Sequence, residues 1–171
     1  SGPTLRGNLA TLRSFLRFCG EIEAVPAEFF DRVPIPTVSG GADVSESTLD
    51  PDRAQTILEY LGSYHYASRT HVIVLVLWHT GCRVGALRAL DVGDLDLEGE
   101  RANASGPGIK FVHRPDEETP LKNKRKSERW NSVSEGVARV LGDYVDDQRI
   151  EVLDDHGREP LISTDHGRMS R

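Results

Sequence analysis

Arg83 is the residue of this chain whose type and setting most clearly suit work on an anion. It follows Gly81 and Cys82 within His79-Thr80-Gly81-Cys82-Arg83-Val84-Gly85-Ala86-Leu87, where a glycine break precedes a fresh helical start. A helix start gathers unpaired N–H groups and the positive end of the dipole. A guanidinium placed there adds a planar fork suited to two-point contact with a phosphate. The competing reading is an ordinary surface ion pair with Asp91 or Asp94.

A second group lies further on. Of the four lysines in the chain, Lys122, Lys124 and Lys126 fall within five residues, beside Arg125 and Arg129, with Glu128 the single acid among them. That segment carries a local balance of +4 on a chain of net charge −6, so the remainder carries −10. Net negative charge argues against nucleic acid, but one focused basic segment on an acidic body fits a DNA-contacting loop. The alternative is a flexible, solvated hairpin. Lys110, His113 and Arg114 could add backbone contacts, although nothing in their pattern separates that from surface charge. Arginine and acids prevailing over lysine also suggest a salt-adapted source.

Other chemistry is less well supported. Cys19 and Cys82 form no Cys-x-x-Cys pair and read as reduced thiols. His79 and Cys82 could supply two metal ligands but lack two more, so no metal site is expected. The longest apolar run, Val72 to Trp78, is too short to span a bilayer. With no signal-like start, a cytoplasmic protein without a membrane partner is the default.

These residues need elements to position them. Leu5, Leu9, Leu12, Leu16 and Cys19 predict an amphipathic helix over Thr4 to Gly20, with Arg6, Arg13 and Arg17 as a basic stripe on another side. A short helical piece follows around Pro26 to Arg32. Residues 37–49, rich in Ser, Gly and acids, read as a linker. Asp50 and Pro51 then open a new helix, and Ser68 caps the next, which contains Val72 to Trp78. That run could equally be a buried strand by periodicity; Gly81 as a stop favours a helix. A third helix, Val84 to Leu90, gives way to strands around Leu95–Leu97, Ile109–Val112 and Trp130–Val133. The lysine cluster thus falls between the second and third strands. Val137, Val140, Leu141, Tyr144 and Val145 mark a further helix, followed by a turn at Asp154 to Gly157 and a short apolar segment, Leu161-Ile162. The fold class is mainly α with a small antiparallel β-sheet.

Thr80-Gly81-Cys82-Arg83-Val84-Gly85-Ala86-Leu87, with Leu90 and Asp94-Leu95-Asp96, resembles the first conserved box of the tyrosine recombinase (phage integrase) family. The likeness covers the chain from about Leu49 onward, as the N-terminal part of the catalytic domain (50–171). A weaker echo of the helical core-binding domain extends over residues 1–36. The resemblance implies an enzyme that breaks and rejoins double-stranded DNA through a 3′-phosphotyrosine, without metal or nucleotide, in a synaptic tetramer. It implies Arg83 as a catalytic arginine and Lys122 as the general acid, with Lys124 as runner-up. Lys124, Arg125, Lys126 and Arg129 would contact DNA, as would Arg6, Arg13 and Arg17 in the core-binding part.

The likeness has gaps. The family's glutamate three residues after the arginine is Ala86 here, with Asp91 as one substitute carboxylate. No histidine is followed three residues later by arginine, and no tyrosine lies beyond Tyr144. Tyr60, Tyr64, Tyr66 and Tyr144 read as packing residues. The expectation is a fragment that does not cleave DNA by itself. A DNA-binding module without chemistry is the second reading, and an α+β enzyme using Cys82 with His79 a distant third.

Overall fold

Leucines at alternating three- and four-residue steps make the first helix, α1 (Gly2–Glu21), slightly longer than its apolar pattern. Gly20 lets the returning chain approach, since a Cβ there would sit 3.3 Å from Ala27 Cα. The piece expected over Pro26–Arg32 is a single 3-10 turn, Phe29–Arg32. Arg13 donates to Asp31 at 2.7 Å, and the Arg13 and Arg17 guanidinium groups lie over the Phe30 ring. These contacts hold the turn on the helix, while Leu5, Leu12, Phe15 and Phe18 stay exposed. This is the first of two units, Ser1–Leu49 and Asp50–Arg171, in a computed structural model that describes residues 2–37, 48–100 and 106–170. Most of the expected linker, residues 38–47, lies outside the described residues.

The second unit opens with α2 (Pro51–Tyr64), where the Asp50 carboxylate accepts from the Asp52 and Arg53 N–H groups and proline takes the first turn. Ser68 caps α3 (Arg69–Thr80) by accepting from the His71 N–H, so the Val72–Trp78 run is helical. Val72 and Val76 are fully buried, which places α3 in the core. Gly81, left-handed at φ +58°, ends it. The short α4 (Val84–Arg88) follows, then a 3-10 turn at Val92–Asp94.

Strands β1 (Leu95–Asp96), β2 (Gly108–Phe111) and β3 (Arg129–Ser132) form an antiparallel sheet in that order. Ile109 stands opposite both Leu95 and Asn131, and Phe111 opposite Arg129. β3 therefore starts one residue before the apolar pattern suggests: Arg129 lays its guanidinium over the Phe111 ring at 4.3 Å, a contact a charge pattern does not reveal. Helix α5 (Glu135–Asp143) runs on as a π turn, Tyr144–Gln148. Leu161 and Ile162 are fully buried and lead into an unforeseen hairpin, β4 (Ser163–Thr164) with β5 (Gly167–Arg168). Leu87, Leu90, Phe111, Leu141 and Tyr144 complete the core around α3. Among the described residues, no helix is long and apolar enough to cross a membrane.

Candidate nucleic-acid interface

The site starts with the stop of α3. The Gly81 N–H donates to Leu77 O, and the Thr80 hydroxyl donates to Val76 O while accepting from the Cys82 N–H. This tight exit sets Arg83 in extended backbone, where its carbonyl accepts the first N–H groups of α4, from Ala86 and Leu87. The Arg83 side chain is exposed and makes no hydrogen bond or ion pair among the described residues. Because α4 has only five residues, aligned peptide dipoles add little, and the grip on an anion falls to side chains.

Those side chains converge. A cleft of about 1130 Å³ is lined on one side by Thr80, Gly81, Arg83, Gly85 and Ala86. The connection between β2 and β3 supplies the other side: His113, Leu121, Lys122, Lys124, Lys126 and Arg129 among others. Five cationic side chains thus face one space, and among the described residues no carboxylate lines it. Arg125 is set apart; it lines a neighbouring hollow of about 610 Å³ that shares Lys124 and Lys126 with the cleft.

The lysine segment is folded tightly. Leu121 is buried at 3 % exposure, the Lys124 N–H donates back to Leu121 O, and Lys124–Ser127 forms a 3-10 turn. Lys124 itself is left-handed, at φ +55°. The Lys122, Lys124, Arg125 and Lys126 side chains are exposed, without hydrogen bonds or ion pairs among the described residues. Arg129 is partly committed, donating to Asn131 Oδ1 and Ser127 O. In the first unit Arg6 is exposed, whereas Arg13 and Arg17 hold the 3-10 turn described above.

Behind the cleft the structure corrects several expectations. Arg114 is not ordinary surface charge but is committed to carboxylates of its own chain. It forks onto both oxygens of Asp94, at 2.6 and 3.0 Å, and lies 3.5 Å from Asp91. Asp91 also meets Arg158 and Arg168, so neither Asp91 nor Asp94 pairs with Arg83. Asp91, the expected substitute for the carboxylate missing at Ala86, is not among the residues lining the cleft. Arg168 further donates to Asp154, to Arg88 O and to Leu90 O, joining β5 to the segment after α4. Burial pushes the Asp154 carboxyl up, but the Arg158 and His156 N–H groups and the Arg168 guanidinium outweigh it and hold the group at about 2. This network escaped the sequence pattern because its members lie up to 80 residues apart.

Burial is also the main cause raising the Cys82 thiol, and it leaves the sulfur closed in the core, which removes the reading of Cys82 as a nucleophile. Tyr60, Tyr64 and Tyr66 are exposed; Tyr66 donates to Asp143 at 2.5 Å. Tyr144 is 1 % exposed in the core. No tyrosine lines the cleft. Among the described residues, no group of three or more His, Cys, Asp or Glu could hold a metal.

The fold is tyrosine-recombinase-like, a helical domain with a small antiparallel sheet. It resembles the crystal structure of XerA recombinase at a TM-score of 0.51 and 22 % identity, over 97 % of this chain and 56 % of that one. The Tn1549 transposon integrase in complex with a circular intermediate DNA gives 0.59 and 15 %, over 97 % and 52 %. The same integrase with transposon right-end DNA gives 0.55 and 14 %, over 94 % and 51 %. The chain therefore spans about half the length of these structures. No protein-family model and no curated protein sequence matches it.

Proposed function

We propose that this chain carries the phosphate-gripping part of a site-specific DNA recombinase of the tyrosine class. The observation that supports it is the cleft, lined by no carboxylate among the described residues, in which Arg83 faces Lys122, Lys124 and Lys126. In this reading Arg83 neutralises charge gathering on the scissile phosphate, where an unpaired guanidinium is worth most. Lys122 delivers a proton to the departing 5′-oxygen. The tyrosine that attacks phosphorus is not one of the four in this chain, since none lines the cleft. The intact protein works on double-stranded DNA with further copies of itself. Ala86, where a carboxylate would help orient the site, favours a second reading, a DNA-binding module without chemistry.

Binding to a DNA duplex tests the shared part of both readings. Arg83→Ala and Lys122→Ala should each weaken it, with the salt dependence shallower by about 0.9 for each phosphate no longer neutralised. Both variants binding like wild type, with an unchanged slope, would sink the phosphate-gripping role. A nicked suicide duplex then separates the readings. The protein translated from the natural coding sequence should form a covalent adduct that a Tyr→Phe substitution abolishes; no adduct moves the conclusion to the binding module.

A further inference from the structure

His113 stands just past β2, where the chain leaves the sheet for the lysine segment, and it is tied to that segment twice. The Leu121 N–H donates to its Nδ1 at 2.9 Å, and its own backbone N–H donates to Glu128 Oε1 at 3.1 Å. Leu121 immediately precedes Lys122, and Glu128 immediately follows the Lys124–Ser127 turn. One residue thus fastens both ends of the stretch that carries three of the four lysines.

The chemistry of the first tie is specific. An imidazole nitrogen accepts a hydrogen bond only without a proton, so this tie is one that the neutral ring with its hydrogen on Nε2 can make. The tie also has a physical task. Lys122, Lys124 and Lys126 crowd into a cleft where no described carboxylate lies, and their mutual repulsion favours swinging the segment outward. A long connection pinned partway has fewer open conformations to swing into.

We propose that His113 is the positioning residue for Lys122, a neutral imidazole latch that holds the lysine segment across from Arg83. It acts through the Leu121 N–H rather than by touching DNA. The role rests on the phosphate-gripping reading of the cleft, but the latch itself can be measured without DNA.

Three substitutions separate the possibilities. In His113→Asn the amide oxygen branches from the same carbon as Nδ1 and can take the Leu121 N–H; in His113→Gln it sits one carbon further out, and His113→Ala has no acceptor. Amide hydrogen exchange of Leu121 and of Lys122–Ser127, without DNA, should accelerate in the Ala and Gln variants and stay near wild type in Asn. Wild-type ¹⁵N spectra on the alkaline side of neutrality should show the Nε2–H tautomer. Equal exchange in all four proteins, or the Nδ1–H tautomer, overturns the latch even if DNA binds as expected. For duplex affinity, Ala and Gln should lose about fivefold and Asn little. His113→Ala should cost nothing further in a Lys122→Ala background. Independent losses in that cycle, or rescue by Gln instead of Asn, would mean that the ring contacts DNA itself. Normal exchange behaviour with no duplex affinity in any protein would instead fell the functional reading and leave the latch standing.

Discussion

Arg83 and Arg114 are the same residue type within reach of the same sheet, and their neighbours give them opposite roles. Arg114 finds Asp94 in a two-point fork, so its charge is spent on structure. Arg83 meets Gly81, Gly85 and Ala86 and keeps its full donor capacity. The same contrast separates the lysines from Arg129, which already serves Asn131 and Ser127. Lys124 offers a clean test. Its left-handed backbone costs about 1 kcal/mol for any residue but glycine. Lys124→Gly should therefore leave thermal stability equal or slightly higher while weakening duplex binding a few-fold; a fall in melting temperature with unchanged affinity would make Lys124 a structural residue only. Arg83 and the lysines stood out in the sequence because a glycine break precedes the one, and the others sit among five basic residues with a single acid, Glu128. The fork of Arg114 onto Asp94 was not legible because the two lie 20 residues apart in sequence, nor was the tie of His113 to Leu121, because a lone histidine gives no pattern.

At the scale of elements, two glycines do different work. Gly81 needs only its left-handed backbone, since a Cβ there would meet nothing within 4 Å. Gly108 instead gives up its side-chain space to the Trp130 indole, which a Cβ would approach to 2.3 Å. Gly81→Ala should cost about 1 kcal/mol of conformational strain and disturb the exit toward Arg83. Gly108→Ala should cost up to about 3 kcal/mol by overpacking β2 against β3. Urea unfolding of both variants checks the order, and equal or reversed losses would refute the distinction. Helices were readable because caps and stops are local: Asp50 with Pro51, Ser68, and Gly81 each act within one turn. The β4–β5 hairpin was not, because two-residue strands are shorter than any alternating pattern. The 3-10 turn carrying the lysines was hidden for a similar reason, its backbone being set by Leu121 burial and the ties to His113.

Across the whole second unit, the carboxylate–arginine network joins β5, the turn after α4 and the connection beyond β2. Asp154 anchors it with a carboxyl held at about 2, below the ordinary 3.8. A depressed carboxyl stabilises the fold above its unfolded value and loses that contribution as pH falls through its folded one. The loss therefore spans about pH 4 to 2 and amounts to about 2 kcal/mol. Urea unfolding across that window should show the decline in wild type and a smaller one in Asp154→Asn; an undiminished decline would assign it to other groups. Arg168→Met should cost about 1 to 3 kcal/mol, because Asp154 and Asp91 lose their shared partner and keep only Arg158 and Arg114. The cleft has a different consequence, because its positive charge is segregated on a molecule of net charge −6. One molecule should then behave as two on a chromatography bench: retained by an anion exchanger through its acidic body, and retained by heparin through a single face. Combining Lys122→Ala, Lys124→Ala and Lys126→Ala should abolish heparin retention and lengthen retention on the anion exchanger. Undiminished heparin binding would locate the polyanion-seeking face elsewhere.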